Sequence, residues 1–129
     1  MQFIYNISIN IIILALQPFR LFSKKLNIFF KDRVSSLDSI EEKIKPNDKS
    51  IWFHVASLGE FEQIKPIIET LKLENDNLKI LISFFSPSGF KSSLNYNIAE
   101  RVYLPLDTKK NVKNFINKIN PNVAVFVKN

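Results

Sequence analysis

The run from Ile51 to Glu60, IWFHVASLGE, brings a histidine, a serine, a glycine and a carboxylate into one short stretch. Its apolar first half reads as a buried strand and its polar second half as a turn into a helix. Glu60 is the carboxylate of that turn. A helix start favours the ionised form of an acid, and a well-placed carboxylate is a competent general base. The plainer reading is that Glu60 caps the helix or pairs with a lysine. Local sequence leaves both readings open. His54 and Ser57 suggest a nucleophilic pair, but their spacing puts them on opposite faces of a strand and no G-x-S-x-G elbow is present. His54 is therefore expected to be a structural residue or a substrate contact.

A second cluster follows in ISFFSPSGF, with Ser83, Ser86, Ser88 and Gly89. The chain has only two glycines, and both come directly after apolar runs, Gly59 in ASLGE and Gly89 in SPSGF. Glycine at such a position lets the backbone approach a ligand and leaves helix-start N–H groups free for an anion. The serines beside Gly89 could bind phosphate or sugar hydroxyls, or bond their own backbone as turn serines commonly do. Asp107, in VYLPLD, could touch a substrate, although its simplest role is to cap the helix after it. With one histidine and no cysteine there is no thiolate metal site, disulfide or cysteine nucleophile. No His and carboxylate cluster has metal-ligand spacing and no Walker-type loop occurs, so neither a metal nor a cofactor is expected.

Apolar runs alternate with helix-period segments beyond residue 50, the signature of a parallel α/β sheet of Rossmann-like type. Strands are expected at Ile51–Ala56, Lys79–Phe85, Val102–Leu104 and Val123–Val127. Phe61, Ile64, Ile67, Ile68 and Leu71 give one helix an apolar face, with Pro66 leaving its start at either Gly59 or Gln63. Val112, Phe115, Ile116 and Ile119 give another, capped by Asp107 or Thr108 and stopped at Asn120-Pro121. In such sheets ligands bind beyond the carboxyl ends of the strands, where both glycines fall.

The N-terminal third differs in character. Phe3 to Leu16 is mostly apolar but shorter than the roughly 20 residues of a clean membrane span, so either a marginal span or an interfacial helix is expected. Phe19, Leu21, Phe22, Leu26, Ile28, Phe29 and Phe30 then interleave with Arg20, Lys24, Lys25, Lys31 and Arg33. Aromatic bulk beside basic charge suits an anionic membrane surface, and an ordinary core helix with a solvated basic side is the alternative. The net charge of +6 is concentrated here, and the rest of the chain shows no Arg-rich stripe, so a nucleic-acid partner is not expected. Three parts are read: a membrane-associated segment at 1–33, a polar connector at 34–50 and a Rossmann-like domain at 51–129.

IWFHVASLGEFEQIKPIIETL, ISFFSPSGF, VYLPLDT and NPNVAVFV, in that order, resemble the N-terminal half of the 3-deoxy-D-manno-octulosonic acid (Kdo) transferases, glycosyltransferases (EC 2.4.99 type) of lipopolysaccharide biosynthesis. The resemblance implies the N-terminal, acceptor-binding domain of a two-domain GT-B fold, truncated before its donor domain. It implies transfer of Kdo from CMP-Kdo to a lipid A precursor at the cytoplasmic face of the bacterial inner membrane. The glutamate of the family's S-x-G-E motif falls on Glu60, as general base in an inverting single displacement. Ser57 and Gly59 match the same motif, and Ser86, Ser88 and Gly89 match a second loop; all five are implied acceptor-binding residues. The family commonly has Gly-Arg where this chain has Asp32-Arg33. The fragment alone is expected to be inactive. The competing expectation is a non-catalytic, membrane-associated Rossmann-like module that binds an anionic ligand or partner.

Overall fold

The computed structural model describes residues 1–20 and 23–128, without the side chains of Phe19 and Arg20. The expected interleaving of Leu21 and Phe22 with the basic residues lies outside the described residues. Among the described residues nine elements run in the order α1 (Gln2–Arg20), α2 (Lys24–Lys43), β1 (Ser50–Val55), α3 (Leu58–Glu74), β2 (Lys79–Phe84), α4 (Pro87–Ser92), β3 (Glu100–Tyr103), α5 (Lys109–Ile119) and β4 (Val123–Phe126).

The four strands are all parallel and lie in the order β3-β2-β1-β4. The chain steps outward from β1 to β3, then crosses back to place β4 on the other side of β1. That reversal puts helices on both faces, since right-handed crossovers in opposite directions must cover opposite faces. Alternation along the strands sorts the core accordingly. Phe53, Val55, Ile80, Ile82 and Phe84 pack with Phe61, Ile64 and Ile68 of α3. Trp52, Leu81 and Val102 pack with Phe115 and Ile119 of α5 and with Leu37, Ile40 and Ile44. The expected parallel, Rossmann-like sheet is thus present, with each strand within two residues of its predicted bounds.

The last three residues named belong to α2 or its C-cap, and they change the expected domain plan. The connector expected at 34–50 is helical as far as Lys43, and α2 buries Phe30, Arg33, Leu37 and Ile40. Those positions, with Ile44, recur at three- and four-residue steps and form one stripe. Arg33 in the stripe and the polar residues around it hide the periodicity from a reading of composition. Lys118 of α5 also meets Asp38 at 2.9 Å and Glu41 at 3.3 Å. Exposed ion pairs of this kind are worth less than about 1 kcal/mol, whereas full burial of one large apolar side chain is worth about 1.5–3 kcal/mol, so apolar packing holds α2 in place.

Helix α3 begins at Leu58 and runs through Pro66 without a break. Ser57 fixes its start as N-cap, accepting from the Glu60 N–H at 3.3 Å. Helix α5 is capped by Thr108, whose Oγ1 accepts from Asn111 N–H at 3.2 Å. Asp107 is not the cap: its carboxylate accepts from the Tyr5 hydroxyl at 2.7 Å and so ties α1 to the domain. Asn120 ends α5 in the left-handed region, with φ 36°, a conformation that asparagine tolerates better than most side chains.

Helix α1 leaves much of its apolar surface uncovered: Phe3, Ile4, Ile11, Ile12 and Leu14 are all exposed. Among the described residues no helix is long and apolar enough to cross a membrane.

Candidate functional site

Strand order reverses between β1 and β4, and the carboxyl end of the sheet at such a switch point is the usual ligand position in folds of this kind. The β1–α3 turn rises directly from it. Glu60 is the third residue of α3, and its Oε2 accepts the Ala56 main-chain N–H at 2.5 Å. Together with the Ser57 cap this is a close relative of the capping box, in which a serine and a glutamate three residues later satisfy free N–H groups at a helix start. The plainer reading of Glu60 is therefore realised. Yet only one carboxylate oxygen is engaged; Oε1 takes no hydrogen bond among the described residues. Glu60 is 8 % exposed, held rather than free to sweep through solvent.

The two glycines behave differently. A Cβ at Gly89 would meet the Phe84 ring at 3.0 Å and the Leu58 main-chain nitrogen at 3.6 Å. Gly89 thus lets the start of α4 lie against the start of α3, and the structure brings the two glycine-bearing turns together. A Cβ at Gly59 would find only Ser57 Oγ, at 3.9 Å. Neither glycine has a positive φ. Packing accounts for Gly89, while nothing in the fold requires Gly59, whose missing side chain leaves the surface over the α3 N-terminus open.

Ser86 is the N-cap of α4: its Oγ accepts from Gly89 N–H at 3.1 Å and lies 2.8 Å from Ser88 Oγ. The backbone-bonding reading holds for Ser86, and Ser88 is the more exposed partner. Ser57, Ser86, Ser88, Gly59 and Gly89 all lie on the two adjacent turns, while Asp107 is bonded to α1.

Two further residues support these turns. Arg33 of α2 is 4 % exposed; its Nη2 donates to the Phe85 carbonyl at 2.9 Å, and its guanidinium lies 3.6 Å from the centre of the Phe29 ring. Burial lowers its pKa from the ordinary value, opposed by Tyr103 and Asp32. From sequence Arg33 stands out only as a charge that matches the arginine of the family's Gly-Arg; its place in the α2 stripe was the signal for a buried role. The second is Ser83, which is fully buried and accepts from Trp52 Nε1 at 2.8 Å while facing His54 Nδ1 at 2.9 Å. His54 is half-buried beside Phe126, and burial lowers its pKa from the ordinary value, against smaller raising effects of the Ser83 main chain and Glu60. Among the described residues no group of His, Asp or Glu could hold a metal ion.

Comparison with known proteins bears on this geometry. The family model described as 3-deoxy-D-manno-octulosonic-acid transferase (kdotransferase) matches residues 30–129, taking in most of α2 together with the whole sheet. A 3-deoxy-D-manno-octulosonic acid transferase of Aquifex aeolicus is 32% identical over 90 residues, 67% of this chain and 24% of its own length. One from Haemophilus influenzae is 29% identical over 83 residues, 62% of this chain and 19% of its own. A bifunctional glycosyltransferase/methyltransferase of Fusobacterium nucleatum is 27% identical over 128 residues, 95% of this chain and 19% of its own. The chain thus spans about a fifth to a quarter of the length of these relatives. No solved structure matches it. The parallel sheet, the Ser57–Glu60 turn and the match over residues 30–129 agree: the chain belongs to the 3-deoxy-D-manno-octulosonic acid transferase family, a family of glycosyltransferases.

Proposed function

We propose that this chain forms the acceptor side of a GT-B transferase that moves Kdo from CMP-Kdo to a lipid A precursor, with Glu60 as general base. The observation that carries the reading is the Ser57–Glu60 turn. Its carboxylate is anchored through Oε2 to Ala56 N–H, while Oε1 has no bonded partner among the described residues. An anchored carboxylate has its orientation fixed before substrate arrives, which is what a general base requires. In the proposed step an acceptor hydroxyl gives its proton to Glu60 as its oxygen bonds to the anomeric carbon of Kdo. The bond from that carbon to the CMP phosphate oxygen breaks on the opposite side, and CMP leaves with the electron pair. One displacement inverts the anomeric configuration, without a covalent enzyme intermediate. No cofactor is invoked.

Ser57, Gly59, Ser86, Ser88 and Gly89 are proposed to border the acceptor. Open space over Gly59 supports this role, since a fold that does not need the glycine leaves ligand approach as its use. The donor is proposed to be held by the second domain of the GT-B fold, across the cleft from these turns.

The exposed apolar side of α1 supports association with the surface of a bacterial inner membrane on its cytoplasmic side, where a lipid acceptor would be reached. Helix α1 and α2 also frame an apolar groove of about 430 Å³ that includes Ile9, Ile12, Ile13, Leu16, Leu26 and Phe29. The test is a flotation assay with vesicles containing anionic lipid. Wild-type protein should float with the vesicles and a variant with Phe3, Ile11 and Leu14 changed to serine should not. Equal flotation of both would remove α1 from the membrane role.

A further inference from the structure

The side chains of Trp52, Ser83 and His54 share one face of the sheet, because Trp52 and His54 are two residues apart and the β1–β2 register sets His54 opposite Ser83. An indole N–H can only donate, so Trp52 occupies a lone pair of Ser83 Oγ. The Ser83 hydroxyl still holds one proton, and a fully buried hydroxyl is expected to donate it. The ring nitrogen in reach is His54 Nδ1, at 2.9 Å. Nδ1 can accept only when it carries no proton of its own, which leaves the ring proton on Nε2. Nδ1 faces the buried serine, so the exposed part of the half-buried ring is the part away from it, which includes Nε2. Desolvation favours the uncharged ring, in which one nitrogen is bare, and outweighs the opposing pull of the Ser83 main chain and Glu60.

Placement gives this tautomer a use. His54 pairs with Phe126 across the β1–β4 switch point, and its main-chain carbonyl accepts from Val127 N–H at 3.1 Å just beyond the strand end. Glu60 Oε2 is bonded to Ala56 N–H, two residues along the chain from His54, which places the carboxylate at the same end of β1. Two proton acceptors side by side would compete for the same hydroxyl proton, whereas a donor beside a base can hold a lone pair of the acceptor while the base takes a proton.

We propose that Trp52 and Ser83 lock His54 as the neutral Nε2–H tautomer, making it a fixed hydrogen-bond donor to an acceptor oxygen at the switch point, not a second base. The donor role rests on the transferase reading above; the tautomer does not. Because the chain contains a single histidine, a long-range proton–nitrogen correlation spectrum of the uniformly ¹⁵N-labelled protein shows one imidazole. Recorded above the ordinary imidazole pKa of about 6.5, it should show Nε2 protonated and Nδ1 bare. Ser83→Ala should convert this to an averaged mixture. A wild-type spectrum with Nδ1 protonated, as if the ring donated to the Ser83 hydroxyl or main chain, would overturn the proposal, as would an averaged mixture in the wild type.

The donor role is read separately in the full-length transferase, with CMP-Kdo as donor and a lipid A precursor as the probe. Glutamine can place an amide N–H near the position of Nε2, and asparagine near that of Nδ1. His54→Asn should raise the acceptor KM about ten-fold, the value of one lost hydrogen bond, and His54→Gln clearly less. Equal rises in the two variants would remove the donor role, whatever Glu60 does.

Discussion

Arg33 Nη2 reaches across from α2 to hold the Phe85 carbonyl at 2.9 Å. That bond fixes the residue immediately before Ser86 and so sets the level at which the β2–α4 turn meets the α3 N-terminus. A guanidinium buried to this degree is held by its carbonyl partners, Phe85 and more distantly Phe29 at 3.4 Å, and by the Phe29 ring.

Arg33→Met keeps much of the buried bulk while leaving the Phe85 carbonyl without its donor. The expected loss is about 1–3 kcal/mol in denaturant unfolding, the penalty for one unsatisfied buried polar group. Amide exchange should quicken in the 85–90 turn more than in β1. Unchanged stability and exchange would mean that the turn does not depend on α2.

The two glycines should respond in opposite directions to alanine. At Gly89 the new methyl meets the Phe84 ring at 3.0 Å, and the ring is itself 1 % exposed, so overpacking should destabilise by about 1–3 kcal/mol. At Gly59 nothing obstructs the methyl, and the gain in helix propensity should raise stability by up to about 1 kcal/mol. In the full-length transferase Gly59→Ala should nevertheless slow transfer. A stable and fully active Gly59→Ala would show that its open surface is not used.

His54 gives a pH dependence whose sign is fixed. Burial depresses its folded pKa below the ordinary imidazole value of about 6.5, so the unfolded chain binds the proton more readily. This contribution to stability is fully present above about 6.5 and is lost as pH falls towards the folded value. Comparing wild type with His54→Asn by denaturant unfolding across that window isolates the term from the carboxylates, and identical pH slopes would contradict it.

Tyr96 acts at the other end of the scale. Burial first, then Glu69 and Glu62, push its phenol up to about 12. Being raised in the folded state, it adds stability below the ordinary tyrosine value of about 10 that is lost as pH rises through the folded one. Ultraviolet titration should show tyrosine ionisation delayed in the native protein, and Tyr96→Phe should remove the most alkaline component. Three tyrosines titrating together near the ordinary value would contradict this.

Much of this architecture is legible in the residues themselves. Ile51–Ala56, Lys79–Phe85 and Val123–Val127 announce strands because they are apolar runs bounded by turn residues, whereas Pro66 leaves the start of α3 open between Gly59 and Gln63 until the Ser57 cap fixes it at Leu58. Helix α2 is not legible in the same way, since Arg33 interrupts its apolar stripe and Ser35, Ser36 and Asp38 surround it. Only when β3 is beside it does Ser36 acquire a role, accepting the edge strand's Tyr103 N–H at 3.0 Å. The contact among Trp52, Ser83 and His54 depends on strand register, which no local spacing specifies. Gly59 and Gly89 look alike in sequence and differ only once their neighbours are placed.

The central claim is that Glu60 is a base as well as a cap, and one substitution separates the two. In Glu60→Gln the amide oxygen can still accept the Ala56 N–H, as glutamine does in capping boxes, so the helix start should survive with a loss below about 1 kcal/mol. The proton acceptor is gone. Measured in the full-length enzyme with CMP-Kdo and a lipid A precursor, transfer by Glu60→Gln should fall by roughly 10²–10⁴-fold with acceptor binding retained. Near-normal turnover in a folded Glu60→Gln enzyme would contradict the account and leave Glu60 as a helix cap alone.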